Sequence, residues 1–513
     1  MGYPVLKKAA AGFALFLASL YVSWGLGVNP ADEAWFLQVL RRIYQGETLY
    51  RDVFFGTPPL SVYVSMPFLW VLGPEILVVK LVSALSYACL LLLGWQGLSL
   101  LGAGPSFRLA FVALSLALAP PFPTSPYHLL AMAGFMGSLV AFVACAQGRP
   151  SPGVSWASLA GFSAGLAFLA KHNVGALALA AGLVAFLLAK PQPVREVVRC
   201  GLAFGITSLA GLVPVVLQGA GGPCLEYLVF GKGNYLKQAS LPYFGGLGEA
   251  LEKAGGALHS GDWRAAVQLG QLFAYTLPLV VGVGWLFLVF YRWRGWQRLP
   301  LALGVFLLAA WAGIYPRFDL YHVLGTLPVF LFALVILTSV IWKQRLAQAP
   351  GARVWVLAVG AALALALVGQ LVLPVVRLAR GDLVLALRPH FRGALLPASW
   401  VQKAELQAPR LRALASNSPG FLLSPFAGFW YLAADIQNPT PFDYPMSTAF
   451  GRHGEEQVVH ALENGHIGWV CWQEGSWPLK PQRLERYLAE AWQAGEDLGD
   501  CRVYRPRLPS SER

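Results

Sequence analysis

The chain has 513 residues, of which 57% are hydrophobic and only 12% are charged, and its mean hydropathy is +0.56. A soluble core could not hide that much apolar surface, so a set of soluble domains is excluded. The net charge of +13 does not indicate nucleic acid as a partner, because the basic residues cluster in short loops and no nucleic-acid motif is present.

Apolar runs recur from Ala9 to Val376, many of them near the ~20 residues that cross a bilayer as a helix. They are too long for the strands of a barrel, so the predicted fold class is an α-helical polytopic membrane protein. We predict about eleven transmembrane helices, and a total of up to about thirteen is compatible with the run lengths.

The basic loops set the predicted orientation, because Lys and Arg mark the cytoplasmic side. Lys7-Lys8 precedes the first run, which reaches Val28 and is interpreted as a retained first span. The N-terminus is therefore expected inside and Asn29 outside. The later basic loops, also expected inside, are 147–149, 190–199, 291–298 and 343–345.

These loops divide the second part of the chain into eight predicted spans: Pro126–Gln147, Gly153–Ala170, Val174–Ala189, Gly201–Leu217, Gln271–Phe290, Leu299–Ile314, Leu320–Trp342 and Val354–Val376. Earlier in the chain, the apolar runs Leu60–Leu72 and Ile76–Leu98 cannot both cross the membrane if Asp32 is outside and Arg108 is inside. We predict that Ile76–Leu98 crosses and that Leu60–Leu72, which ends at Gly73-Pro74, packs without crossing. The alternative is that Phe107–Pro121 does not span.

Three regions are then expected outside: 29–57, 218–270 and a tail, 377–513, that forms a domain distinct from the membrane domain 1–376. The tail is more polar and has mixed strand and helix patterns, which predict a small α/β domain. Its predicted strands are 421–423 and 467–472, and its predicted helices are 455–464 and 482–493.

The six cysteines show no CxxC spacing, so they do not indicate a zinc site. Cys471 and Cys501 both lie in the tail. They form a disulfide if the tail faces an oxidising compartment, and otherwise they are two unrelated thiols.

The most informative segment is Asn29-Pro30-Ala31-Asp32-Glu33, in which two carboxylates follow the first span. Asn at the N-cap and Pro at the first helical position predict a helix start, with Asp32 at its third position. The helix continues to about Tyr44. Its apolar positions recur at helical spacing and its polar residues Gln38, Arg41 and Arg42 fall on the other side, as in a helix lying on a membrane surface.

Asp32 is four residues before Phe36, so it projects from the apolar face of this helix, and Glu33 lies at the edge of that face. A carboxylate directed into the protein interior is costly unless it is paired or used. The alternative is that Asp32 only caps its own helix, since acids favour the first turn.

Two further features follow in the same loop. Asp52, after Tyr50-Arg51, is either a second site carboxylate or a partner of a neighbouring Arg. Pro58-Pro59 ends the loop and starts the chain back into the membrane.

The run from Asp32 through Gly46–Asp52 to Pro58-Pro59-Leu60 resembles the first outer loop of the C-type glycosyltransferase superfamily. It is most similar to the branch of the protein mannosyltransferases and the lipid A aminoarabinose transferases. The motif covers about thirty residues, and the layout of spans and outer regions agrees over much of the rest.

The resemblance implies an inverting glycosyltransferase in the cell (plasma or inner) membrane. Its donor is a sugar on a polyprenyl phosphate that enters from the bilayer, and its acceptor is a lipid, a glycan or a protein that approaches from outside. Asp32 is implied as the general base and Glu33 as a residue that helps hold the acceptor. This agrees with the inward projection of Asp32.

The chain departs from many relatives before the Pro-Pro pair, where it has Thr57 in place of a basic residue near the donor phosphate. A leaving phosphate needs cationic or N–H stabilisation, so we expect it elsewhere. One candidate is Lys171-His172-Asn173; the alternative is that Lys171 snorkels at a helix end. The other is Arg317 with Asp319 and His322; the alternative is a local turn held by an Arg–Asp contact.

Three further expectations concern the surroundings of this cavity. The loop 223–270, with Phe230–Tyr235 and Lys237, is either a mobile lid or a plain flexible loop. His128 lies near the same cavity or is structural. No cofactor is required by the sequence, although Asp32, Glu33, Asp52 and His322 leave a divalent metal site open.

Two other classes of protein remain. A transporter or flippase for a lipid-linked saccharide predicts ionisable residues at mid-span and repeated halves, whereas these spans are nearly free of charge. A non-catalytic assembly protein is the third reading.

Overall fold

The computed structural model describes residues 3–118, 126–151, 153–190, 193–231, 236, 240–260, 265–293, 298–315, 317–343, 352–477 and 479–507. Of the predicted lid, residues 232–235 and Lys237 lie outside this set.

The membrane part of the chain is helical. Its helices are α1 (Tyr3–Gly25), α2 (Asp32–Tyr44), α3 (Leu60–Leu72), α4 (Ile76–Leu100), α5 (Pro105–Ala117), α6 (Pro126–Ala146), α7 (Trp156–Ala170), α8 (His172–Ala189), α9 (Val194–Leu217), α10 (Gly221–Leu225, continued by a π-helical turn Glu226–Phe230), α11 (Tyr243–Ser260), α12 (Ala265–Trp293), α13 (Arg298–Ala312), α14 (Leu320–Ile341) and α15 (Ala352–Ala379).

Six helices among the described residues are long and apolar enough to cross a membrane, and six shorter apolar helices accompany them. This confirms the predicted polytopic helical fold. Most predicted spans match a helix to within a few residues. The exceptions are two helices that begin earlier than predicted: α12 at Ala265 rather than at Gln271, and α9 at Val194 rather than at Gly201. In α9 the basic segment expected as a loop forms the first two turns.

The sequence left open which of two segments, now α3 and α5, does not cross the membrane, and both helices are short. Each has 13 residues, which corresponds to a length of about 20 Å and is less than the hydrocarbon thickness. α3 ends where predicted, because Gly73 adopts a positive φ of 72°, a conformation that favours glycine and turns the chain.

The tail begins after α15 and is an α/β unit, as predicted. β1 (Leu383–Leu385) pairs with β2 (Leu395–Pro397). A second sheet has the order β3-β4-β6-β5 and consists of β3 (Gly420–Leu423), β4 (Trp469–Trp472), β5 (Trp492–Asp497) and β6 (Arg502–Pro506). β3 and β4 are parallel, whereas β6 runs antiparallel to both of its neighbours. The helices of the tail are α16 (Ala398–Ala415), α17 (Ala427–Ala434), α18 (Gly454–Glu463) and α19 (Gln482–Ala491).

The sheet of the tail carries a disulfide. Cys471 in β4 is bonded to Cys501, which directly precedes β6, and their Cα atoms are 5.5 Å apart. Of the two alternatives for these cysteines, the structure therefore has the bonded pair.

The apolar interior is divided into two clusters. The first lies inside the helical bundle, where α6 packs against α4 and α7, and α7 packs against α9. The second joins α2 and the loop 49–55 to the helices and strands of the tail. α2 therefore shares its hydrophobic core with the tail rather than with the bundle alone.

The expectation that α2 has a solvated polar face is wrong. Gln38, Arg41 and Arg42 are all buried. α17 packs directly on α2, and a Cβ at Gly428 would lie 2.6 Å from the Cα of Trp35. The tail covers the polar face, and its carboxylates and backbone carbonyls replace water as hydrogen-bond partners of the two arginines.

Candidate active site

The start of α2 is organised by Asn29. Its side-chain Oδ1 accepts hydrogen bonds from the backbone N–H groups of Ala31 (2.9 Å) and Asp32 (3.3 Å), which is the interaction expected of an N-cap residue. Counted from this cap, Asp32 is at the third position, as predicted, although the regular helix is assigned from Asp32 onward. The amide of Asn29 also donates to Asp32 Oδ2 at 3.3 Å, which fixes the carboxylate relative to the helix end.

Glu33 is fully buried, not at the edge of the apolar face. Its carboxylate lies 3.0 Å from Nζ of Lys80 in α4 and accepts the backbone N–H of Asn29 at 2.9 Å. Lys80 also donates to the carbonyls of Ser23 (3.0 Å) and Gly27 (2.7 Å) at the end of α1. Because Lys80 neutralises Glu33, the interior accommodates the carboxylate, and the pair ties α2 to α1 and α4.

Asp32 is half-buried and faces a different set of residues. Burial, and next the negative charge of Asp319, raise the pKa of Asp32 to about 6, while the hydrogen bond from Asn29 and the charge of Arg317 act in the opposite direction. The turn that contains Arg317 and Asp319 therefore lies close to Asp32, although 285 or more residues separate them in the sequence. A carboxylate with a pKa near 6 is suited to accept a proton at neutral pH.

The turn before α14 forms a compact polar group. Arg317 Nε donates to Asp319 Oδ2 at 2.5 Å, and Nδ1 of His322 lies 2.7 Å from Asp319 Oδ1. Asp319 also accepts the backbone N–H of His322 and so caps α14. Burial opposes ionisation of Asp319, but the hydrogen bonds and charges of His322 and Arg317 outweigh it and lower the pKa of Asp319.

A second polar group adjoins the first. Lys171 lies at the junction of α7 and α8, and its Nζ is 3.3 Å from Nδ1 of His128 in α6. The rings of His128 and His322 meet edge to face with centroids 5.6 Å apart. The structure thus brings the turn 317–322, Lys171 and His128 together, and the charges of this turn act on Asp32.

Other residues singled out in the sequence lie around this group or apart from it. Asp52 pairs with its neighbour Arg51 at 2.9 Å and accepts the backbone N–H of Thr48, so it serves the local turn. His172 and Asn173 are the half-buried first residues of α8. Pro58 and Pro59 are buried at the start of α3.

Thr57 occupies the position before Pro58-Pro59 at which the resemblance led us to expect a basic residue. Its backbone carbonyl accepts a hydrogen bond from the hydroxyl of Tyr50 at 2.7 Å, which closes the loop around the Pro-Pro pair. No cationic side chain is supplied at this position.

Asp32, Glu33, Asp52 and His322, the four candidate metal ligands, do not form one cluster. Glu33 pairs with Lys80 and Asp52 pairs with Arg51, whereas Asp32 and His322 both belong to the surroundings of Asp319. Within the described ranges, no three His, Cys, Asp or Glu side chains are close enough together to hold a metal ion.

Lys80 is the residue that the sequence analysis missed. It is a lone cation in the second turn of an otherwise apolar span. An ionisable residue inside a span is usually functional or paired, so this position was a usable signal, but its partner Glu33 is 47 residues away and the spacing does not reveal it.

No protein-family model matches the sequence, and a search of curated proteins finds no significant match. Among solved structures, the chain is similar to ArnT from Cupriavidus metallidurans in the apo state, with 16% identity, a TM-score of 0.57 and 98% of each chain covered. It is also similar to the same protein bound to undecaprenyl phosphate, with 15% identity, a TM-score of 0.55 and the same coverage. Arabinofuranosyltransferase AftD from Mycobacteria aligns with 99% of this chain and 42% of its own, at 14% identity and a TM-score of 0.44.

The similarity to ArnT extends over essentially the whole of both chains, including the helical bundle and the tail. The fold implied by the resemblance of the first outer loop is therefore confirmed. The chain has the fold seen in ArnT.

Proposed function

We propose that the protein is an inverting glycosyltransferase that transfers a sugar from a polyprenyl phosphate to an acceptor at the extracytoplasmic face of the cell membrane. The observation that supports this proposal is that the charges of Asp319 and Arg317 act on the Asp32 carboxylate, while His322 contacts Asp319 and Lys171 lies beside His128, next to His322. A base and a group of cations on opposite sides of one site are what displacement of a phosphate leaving group requires.

The reaction balances with these residues alone. Asp32 accepts the proton of the acceptor hydroxyl, whose oxygen forms a bond to the anomeric carbon of the sugar. The bond from that carbon to the phosphate oxygen breaks, and the electron pair leaves with the polyprenyl phosphate. Attack from the face opposite the leaving group inverts the anomeric configuration. Asp32 is fixed for this role by Asn29, and Glu33 with Lys80 holds the start of the helix.

The leaving phosphate is assigned to Lys171, Arg317 and His322. Arg317 offers a planar set of N–H donors suited to phosphate oxygens. Asp319 accepts from both Arg317 and His322, so it orients the two side chains. ArnT was solved with undecaprenyl phosphate, which supports a polyprenyl phosphate as the lipid partner of this chain.

Replacement of Arg317 tests the phosphate assignment. We expect Arg317→Ala to raise the KM for the polyprenyl-phosphate sugar by about 10- to 100-fold, because a charge-assisted hydrogen bond is lost. The melting temperature in detergent should change little. Arg51→Ala removes an exposed arginine of the outer loop whose partner is also local, and it serves as the control with an unchanged KM. An unchanged KM in Arg317→Ala would move the phosphate to another site.

The orientation is tested by labelling with an impermeant thiol reagent. In a chain whose four free cysteines are replaced by alanine, we expect Gln45→Cys and Glu490→Cys to react in intact cells, because both positions are exposed. Arg149→Cys, in a basic loop, should react only after permeabilisation. Labelling of the first two only after permeabilisation would invert the arrangement and contradict an extracytoplasmic site.

The competing function is a flippase for a lipid-linked saccharide. A flippase leaves the sugar–phosphate bond intact, whereas a transferase releases free polyprenyl phosphate. Purified protein in liposomes with a labelled polyprenyl-phosphate sugar and extracts that contain candidate acceptors separates the two. Acceptor-dependent release of free polyprenyl phosphate supports the transferase, and movement of intact donor across the bilayer without release contradicts it.

A further inference from the structure

The polar face of α2 ends in a buried network that joins it to one loop of the tail. Asp443 is fully buried and its Oδ2 lies 3.0 Å from Nη1 of Arg42. Its Oδ1 accepts from Nε2 of Gln38 at 3.2 Å and from Nδ2 of Asn438 at 3.0 Å. Both oxygens of this tail carboxylate therefore accept hydrogen bonds. Two of the three donors, Arg42 and Gln38, belong to α2, and the third, Asn438, belongs to the tail.

The loop that presents Asp443 is held in shape by its own contacts. Asn438 Oδ1 accepts from the backbone N–H and the hydroxyl of Thr440, which forms a tight local turn. The carbonyl of Pro441 accepts the backbone N–H of Phe54 at 2.8 Å, and the carbonyl of Thr440 accepts from Arg42 at 2.8 Å. A rigid acceptor of this kind fixes the direction of the side chains that bind to it.

α2 is consequently fixed at both ends by different parts of the molecule. Its first turn is bound to the bundle through Glu33 and Lys80, and its last turn is bound to the tail through Arg42. Ten residues separate Asp32 from Arg42, a distance of about 15 Å along the helix axis. If the contacts of Arg42 with the tail were lost, α2 could rotate or tilt and Asp32 would be displaced. A displacement of about 1 Å is enough to lower the rate about 100-fold.

We propose that Asp443 is a positioning residue for the transfer reaction: through Arg42 and Gln38 it fixes the rotation and tilt of α2 and hence the place of the Asp32 carboxylate. This inference rests on the proposed function. It assigns the tail a part in catalysis that does not depend on contact with the donor or the acceptor.

The test compares two isosteric Asp→Asn substitutions. Each replaces the carboxylate partner of one of two neighbouring arginines of α2, Arg42 or Arg41. Asp443→Asn removes the charge that pairs with Arg42 and leaves a single acceptor oxygen for the donors Arg42, Gln38 and Asn438. Asp435→Asn removes the partner of Arg41 at 2.7 Å, but Asp435 is 56% exposed, and Asn tolerates its positive φ of 52°. We expect Asp443→Asn to lower kcat by about 10- to 100-fold with the KM for the donor within about threefold. Asp435→Asn should stay within about twofold of the wild type in both constants.

Hydrogen exchange of the residues 32–44 gives a readout that does not depend on transfer. Faster exchange of this segment in Asp443→Asn, and not in Asp435→Asn, is expected. If Asp443→Asn does not yield folded protein, Gln38→Met removes one donor to the same carboxylate at similar volume and should show the same two effects more weakly. A wild-type kcat in the folded variant, or unchanged exchange of α2, overturns the positioning role. Faster exchange of α2 with no transfer by the wild-type protein would instead contradict the proposed function.

Discussion

Asp32→Asn is expected to reduce sugar transfer by about 100- to 10,000-fold, because the amide cannot accept the proton of the acceptor hydroxyl. The change is nearly isosteric and leaves the contact with Asn29 available, so the KM for the donor and the melting temperature should be close to those of the wild type. Initial rates of free polyprenyl phosphate release measure the effect. Asp52→Asn, in the same loop but paired with Arg51, is the matched control and should retain activity within a few-fold.

The pH dependence of the wild type provides a second measurement of the same role. The pKa of Asp32 is raised to about 6, first by burial and then by the charge of Asp319. The base must be ionised to act, so kcat/KM should be at its plateau above pH 6 and should fall as the pH decreases through about 6. Transfer by Asp32→Asn at wild-type level, or an acidic limb that lies far below pH 6, would contradict the assignment of Asp32 as base.

Lys80→Met is expected to lower the free energy of unfolding by about 3–5 kcal/mol, since it leaves the carboxylate of Glu33 buried without its cation. Lys80 and Glu33 are 2% and 0% exposed at their side chains, so water does not compensate for the lost partner. Thermal unfolding in detergent should show a clear decrease in melting temperature. Transfer should decrease as well, because the end of α1 and the start of α2 lose their common donor.

Two further variants distinguish the effect of breaking the buried Lys80–Glu33 pair from the effect of losing any lysine. The double variant Lys80→Met with Glu33→Gln removes both charges and should recover much of the lost stability, since replacement of a whole buried pair is often nearly neutral. Lys253→Met breaks an exposed pair with Glu249 and should leave the melting temperature unchanged. Equal melting temperatures for Lys80→Met and the wild type would show that Glu33 does not depend on Lys80.

The fold class followed from local properties of the chain. The length and apolarity of the runs predicted the helices. Alternation and periodicity predicted two of the six strands and two of the four helices in the described part of the tail. Boundaries were less accurate where a helix continues past its apolar stretch, as in α9, because charged residues beyond the hydrocarbon still form helical turns.

The candidate site was only partly predictable. The position of Asp32 on the apolar side of its helix and the choice of Arg317, Asp319, His322 and Lys171 came from the sequence. In the structure Arg317 and His322 contact Asp319, Lys171 lies beside His128 next to His322, and the charges of Arg317 and Asp319 act on Asp32.

What the sequence by itself determined is the fold class and the candidate residues for the site, because periodicity and composition act over neighbouring residues. Only the tertiary structure decided the partners of α2. The pairing of Glu33 with Lys80 spans 47 residues and that of Arg42 with Asp443 spans 401. Burial of such charges depends on which distant element neutralises them, and no local pattern records that.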